Sequence, residues 1–145
     1  MNRLLLITFV IFSSFFVLMF AQKSGMGRKS SGINCIRMYD VKTVQTFPGE
    51  VIKVEKFIPS KGMSYGIHLI VKTNSETLSV HLGPAWFMNK QKIKIKLKDR
   101  ITITGSRITY QGSKVIIASK VIKNNETLIL RDPNGSPVWS RSGNR

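Results

Sequence analysis

Acidic residues and cysteines are both scarce in this chain. Seven Asp and Glu stand against 23 Lys and Arg, a formal charge of +16. A balance of that size is not a fold requirement; it describes a surface that attracts anions, and so bears on partners. The single cysteine, Cys35, rules out an internal disulfide. No Cys-x-x-Cys-His string is present, which excludes covalent haem attachment of the usual kind. Also missing are a serine nucleophile elbow, a paired-histidine zinc helix and a glycine-rich phosphate loop. The few acids, Glu50, Glu55, Glu76, Asp99, Glu126 and Asp132 among them, fall at strand edges or turns, where they cap or pair with lysines. Catalysis is therefore not expected.

Residues 4–21 are an uncharged apolar run behind Arg3, the only charged residue in the first 22. A basic start, an apolar stretch and a small residue at Ala21 make a secretory signal. The same run, roughly 18 residues long, also suffices as an uncleaved membrane anchor. Either way the remainder is exported, to the periplasm or beyond. We divide the chain into a signal peptide or anchor at 1–22, a flexible linker at 23–48, a folded domain at 49–139 and a disordered tail at 140–145. About 110 residues beyond the leader suffice for one domain with one modest core. Asn125-Glu126-Thr127 matches the glycosylation pattern, which matters only in a eukaryotic secretory pathway.

From Gly49 onward the hydrophobic period is two. Residues 51–58 read as a first strand whose alternation breaks near Val54, as a bulge would cause. A loop at 59–62 follows. Ile67, Leu69 and Val71, then Leu78, Val80 and Leu82, alternate with polar neighbours around a turn at 73–76. Pairing Val71 with Leu78, Leu69 with Val80 and Ile67 with Leu82 puts every apolar pair on one face, so the pattern sets the register. Pro84 suits the start of a short helix over 85–89. Residues 90–98 alternate Lys with Gln91, Ile93, Ile95 and Leu97. Strands at 101–110, 114–122 and 127–130 follow, with turns at 111–113 and 124–125.

Short strands at about 10-residue spacing predict an all-β barrel or sandwich. Five principal strands, fewer than a sandwich needs, and one helix between the third and fourth favour an oligonucleotide/oligosaccharide-binding (OB) barrel. We therefore expect a small five- to six-stranded OB-type barrel. The strings Val80-His81-Leu82-Gly83-Pro84-Ala85-Trp86-Phe87, Ile103-Thr104-Gly105-Ser106, and the residues 128–139 from Leu128-Ile129-Leu130 to Pro137-Val138-Trp139, resemble a group of small exported bacterial OB-fold proteins, mostly of unknown function. The resemblance spans roughly 49–139. It implies fold and compartment and carries over no ligand or catalytic residue.

The basic residues Lys90, Lys92, Lys94, Lys96, Lys98 and Arg100 are the first candidate site. If 90–98 is extended, five ammonium groups line one face over about 26 Å at roughly 6.6 Å spacing, and Ile93, Ile95 and Leu97 bury the other face. That is either a solvated strand face protecting a sheet edge or a track for a linear polyanion. An exported domain would meet extracellular nucleic acid, an anionic glycan or lipid head groups, or else an acidic protein partner. The outward positions of the second and third strands, His68, Ile70, Lys72, Thr77, Ser79 and His81, include no stacking aromatic, so nucleic acid is not favoured. Phe57, Tyr65 and Tyr110 are candidates for the exposed side. Trp86 and Phe87 are expected to close one end of the core, with Trp139 packing back from the tail.

His68 and His81 form the second candidate site. The register above places these two histidines opposite each other, outside the core, with Cβ atoms about 5 Å apart. Two imidazoles at that distance can chelate Cu(II), Zn(II) or Ni(II), or approach a haem iron. A third ligand would have to come from Cys35, Met63, Met88 or a carboxylate. The haem-chaperone motif His-Asp-Glu-Asn-Tyr is absent. The alternatives are thus a basic polyanion-binding accessory module and a metal- or haem-handling one.

Overall fold

The computed structural model describes residues 38–58 and 64–143. The leader, the linker as far as residue 37, the loop expected at 59–62 and residues 144–145 lie outside the described residues. Six strands and one helix follow in order: β1 (Val44–Phe57), β2 (Gly66–Lys72), β3 (Thr77–Pro84), α1 (Ala85–Lys90), β4 (Arg100–Tyr110), β5 (Ser113–Lys123) and β6 (Glu126–Ile129). Short 3-10 helices at Val41–Thr43 and Val138–Gly143 flank them. The hydrogen-bonded order is β3-β2-β1-β4-β5-β6, and a parallel pairing of β3 with β5 closes the first five strands into a barrel. The fold is the expected all-β, OB-type barrel, with a sixth strand added and the helix between β3 and β4.

β1 begins at Val44, inside the stretch read as linker from the sequence. Pro48 hid its first half. Residues 44–49 pair only with β4, so β1 is still an edge toward β2 there, and an edge position tolerates proline. Residues 50–57 pair with β2, across a bulge between Val51 and Lys53, two residues ahead of the break visible at Val54. At the change of partner the strands come very close. A Cβ on Gly49 would sit 2.6 Å from Val71 Cγ1 and 2.8 Å from the Lys72 carbonyl oxygen. Gly105 does the same at the β4 bulge, where a Cβ would collide with the Ile117 carbonyl oxygen and lie 2.9 Å from Ala118 Cα.

The β2–β3 hairpin keeps the register derived from its pattern through most of its length. Val71 faces Leu78, Leu69 faces Val80 and His68 faces His81. The expected Ile67–Leu82 pair does not form; a bulge puts Ile67 opposite Gly83. The shift leaves Leu82 in the core and brings a side-chain-free residue under Trp139, whose ring would stand 2.8 Å from a Cβ on Gly83. In the 73–76 turn, the Thr73 hydroxyl donates to the Glu76 carbonyl at 2.8 Å and accepts from its N–H at 3.1 Å. The other two hairpins close through two-residue loops, Gln111-Gly112 and Asn124-Asn125, all four residues with positive φ. That is the mirror-image turn whose twist suits adjoining strands.

Leu69, Val71, Leu78, Val80, Ile103 and Ile116 fill the barrel at 1% exposure or less. Each buried side chain of this size contributes roughly 1.5–3 kcal/mol of transfer free energy. Ile108, Val115 and Ile117 form a second cluster with Tyr39 and Tyr110 packed against it. The Asp40 N–H donates to the buried Ser106 hydroxyl, which also bonds the Thr43 hydroxyl at 2.9 Å, tying the N-terminal turn to β4. Residues 140–143, read as disordered tail, belong to the closing 3-10 helix.

Candidate functional site

Residues 90–98 do not form a strand. Lys90 ends α1, 91–96 is irregular and 97–98 is a turn, with Lys98 at φ 70°. The alternation nevertheless survives: Ile93 and Ile95 pack on the core while Lys92, Lys94 and Lys96 stay exposed. The β1–β4 ladder ends at Glu50 and Arg100, and the preceding chain touches β1 at Val51 without extending that ladder. Individual bonds hold the segment instead. The Lys98 N–H donates to the Val51 carbonyl at 2.7 Å, and the Lys96 N–H to Asp99 Oδ2 at 2.6 Å. Lys123 Nζ donates both to the Lys94 carbonyl and to Asp99 Oδ2, each at 2.6 Å. Burial works to raise the Asp99 carboxyl, but the Lys123 ammonium and the Lys96 N–H together hold it below its ordinary value. Leu97, expected to be buried, is 56% exposed, because the turn at Lys98 swings it outward.

Lys90, Lys92, Lys94, Lys96, Lys98 and Arg100 are all exposed. Three of the seven acids are bound to other bases: Glu55 to Lys53, Glu76 to Arg107 and Asp99 to Lys123. The Arg107–Glu76 pair is bidentate, at 2.7 and 2.5 Å, and it lowers the Glu76 carboxyl and raises the Arg107 guanidinium. Arg100 continues the basic segment into an open cleft of about 710 Å³, which Lys72, Asn74, Asn124 and Asn125 also line. Lys72 and Arg100 flank Glu50 in one row across β2, β1 and β4. Sequence reasoning had no means of finding this cleft, because its residues come from four distant stretches that meet only on closure.

The aromatic residues divide differently from expectation. Phe87 and Trp139 pack on the core with ring centroids 5.2 Å apart. Trp86 is instead 42% exposed, with the Lys90 ammonium 5.6 Å above its ring. Lys56 lies 5.0 Å over Tyr65 in the same way.

His68 and His81 stack with ring centroids 3.5 Å apart and planes 25° from parallel. Phe57 stacks on His68 at 4.5 Å, and Glu55 faces His68 across the β1–β2 pair. Burial pushes His68 down to about 4, the nearby Glu55 carboxylate opposing it. His81 falls to about 3, mainly through burial, with the positive charges of His68 and Arg131 adding to it. Both imidazoles are thus neutral at physiological pH. Rings in van der Waals contact leave no space for a porphyrin between them. Of the other ligands considered, Met88 is in the core, and Cys35 and Met63 lie outside the described residues. No group of three or more His, Cys, Asp and Glu suited to a metal is present among the described residues.

These features define a small closed β-barrel with a basic segment and cleft on its rim and a part-buried imidazole pair on its wall. Residues 43–128 match the MamS/MamX magnetosome protein family, and the chain belongs to that family. No curated protein sequence matches the chain. The matched span covers β1 through most of β6, so the family's common part is the barrel itself. Among the described residues, no helix is long and apolar enough to cross a membrane; residues 4–21 lie outside them.

Proposed function

We propose that the domain is a non-enzymatic accessory module of the magnetosome system, binding a polyanionic surface through Lys90, Lys92, Lys94, Lys96, Lys98 and Arg100. The carrying observation is that these six bases are all exposed while Glu55, Glu76 and Asp99 are bound to other cations. Lys72, across Glu50 from Arg100, extends the basic surface into the cleft. The family assignment supports an accessory role in a membrane-associated or periplasmic setting. In that setting anionic lipid head groups suit the segment better than nucleic acid, and each lysine or arginine near such a surface is worth about 1 kcal/mol.

Retention of the full chain on heparin, and co-sedimentation with anionic against neutral vesicles, test the reading. Lys92→Gln/Lys94→Gln/Lys96→Gln should weaken anionic binding by roughly 100-fold, following from three such contributions, and leave neutral-vesicle binding unchanged. Elution from heparin below about 150 mM salt, where multivalent ionic contacts still hold, would show the reading to be wrong.

A further inference from the structure

The stretch 85–100 carries more than charge. Its one acid, Asp99, is part-buried and bound to Lys123, so nothing exposed between Ala85 and Arg100 is negative. Among its six exposed bases stand two large apolar side chains that the core leaves uncovered, Trp86 and Leu97. Trp86 is held in place. Phe87, packed on the core, meets its ring edge to face at 6.1 Å, and the Lys90 ammonium lies over it. The basic segment is fastened to the same helix, because Lys94 Nζ donates to the Asn89 carbonyl at 2.6 Å and Gln91 Nε2 to the Phe87 carbonyl at 3.1 Å. At the other end, the hydrogen bond from Lys98 to Val51 sets the chain at Leu97 beside a stretch of β1 where Ile52 and Val54 are exposed as well.

We infer that this face docks on an anionic bilayer, with Trp86 and Leu97 entering the layer between head groups and acyl chains while the lysines engage the head groups. The inference rests on the polyanion reading above and narrows it to one partner. A soluble polyanion would meet the lysines and leave Leu97 and its apolar neighbours in water. An anionic membrane offers both phases: charge for the six bases, and an apolar boundary that side chains of a docked surface reach at a depth of about 5–10 Å. Indole suits the head-group level because its body is apolar and its N–H polar. Lysine stems bend to keep their ammonium groups in the head-group layer while neighbouring apolar groups sink deeper. Binding of this kind grows with the apolar area buried and with the attraction to anionic lipid together, so neither neutral lipid nor a soluble polyanion satisfies the whole face.

Trp86 reports the insertion directly, whatever contact residues 4–21 make with lipid. In the full chain carrying Trp139→Phe it is the only tryptophan. With vesicles of phosphatidylglycerol and acyl-chain-brominated phosphatidylcholine, its emission should shift to the blue and be quenched. Vesicles of brominated phosphatidylcholine alone should produce neither change. Lys92→Gln/Lys94→Gln/Lys96→Gln should abolish the quenching, and Leu97→Gln should reduce it. If Trp139→Phe unfolds, the difference between wild type and Trp86→Phe gives the same reading. No quenching with anionic vesicles, or equal quenching with neutral ones, overturns the inference. Trp86→Phe and Leu97→Gln should elute from heparin with wild type, since neither changes the charge. Firm retention without quenching therefore sinks the bilayer inference alone, whereas early elution sinks the polyanion reading beneath it.

Discussion

The protein should lose stability on mild acidification because of the part-buried imidazole pair. Both folded-state pKa values, about 4 for His68 and about 3 for His81, lie below the value of 6.5 for an exposed histidine. The unfolded chain therefore binds these protons more readily. Stability is full above pH 6.5 and falls as pH drops toward the folded values. At pH 5 the loss is set almost wholly by the unfolded value, because both folded values lie lower still. It comes to about 2 kcal/mol for each ring, or about 4 kcal/mol for the pair relative to pH 8. Against the 5–15 kcal/mol typical of a domain this is a large fraction. The lowered carboxyls Glu55, Glu76 and Asp99 also shed stability on acidification, but only as pH falls below their unfolded values of 4.5, 4.5 and 3.8. The window from pH 8 to 5 thus isolates the histidines. Urea unfolding with chelator present, at pH 8, 6.5 and 5, measures the effect in wild type and in His68→Phe/His81→Phe. A wild-type loss below about 1 kcal/mol, or an equal slope in the double variant, would refute the reasoning.

Gly105→Ala should cost about 3 kcal/mol or fail to fold, since the new methyl meets the Ile117 carbonyl and Ala118 across the β4–β5 bulge; thermal unfolding reads this. Ile103→Ala should cost about 2–5 kcal/mol, as for other fully buried branched residues, with no change in heparin retention. Trp139→Ala should cost about 2 kcal/mol by uncovering Gly83 and Phe87, measurable by denaturant midpoint. An unaffected midpoint would mean that the segment beyond β6 is dispensable. Asn125→Gly should leave stability within about 0.5 kcal/mol, because glycine takes up its positive φ of 65° without strain.

Much of the barrel was legible because strand side chains alternate, and alternation is local. Leu69 and Val80, or Ile103 and Val121, announce a buried face within a few residues of chain. His68 and His81 were readable as partners for the same reason: a four-residue turn and the apolar pairs Val71–Leu78 and Leu69–Val80 fix a hairpin register within one short stretch. The extent of β1 was not readable. Pro48 resembles a break until β4 is seen on one side and open edge on the other. Nor was the fate of 90–98, whose faultless alternation describes a strand, although the β1–β4 ladder begins only at Arg100.

Sequence alone determined which side chains of the β2–β3 hairpin turn inward, where the hairpins reverse, that the chain is basic and that two imidazoles share a face. Each follows from chain neighbours and from the demand that apolar groups leave water. Only the tertiary structure decided that Phe57 lies on His68, that Trp139 covers Gly83, and that Lys72, Arg100 and Asn124 border one cleft. Those juxtapositions depend on bulges at 51–53, 67–68 and 104–105 and on the closing of β3 against β5. One residue more or less in a strand reverses which face a side chain takes, and such shifts are selected by the closed barrel as a whole.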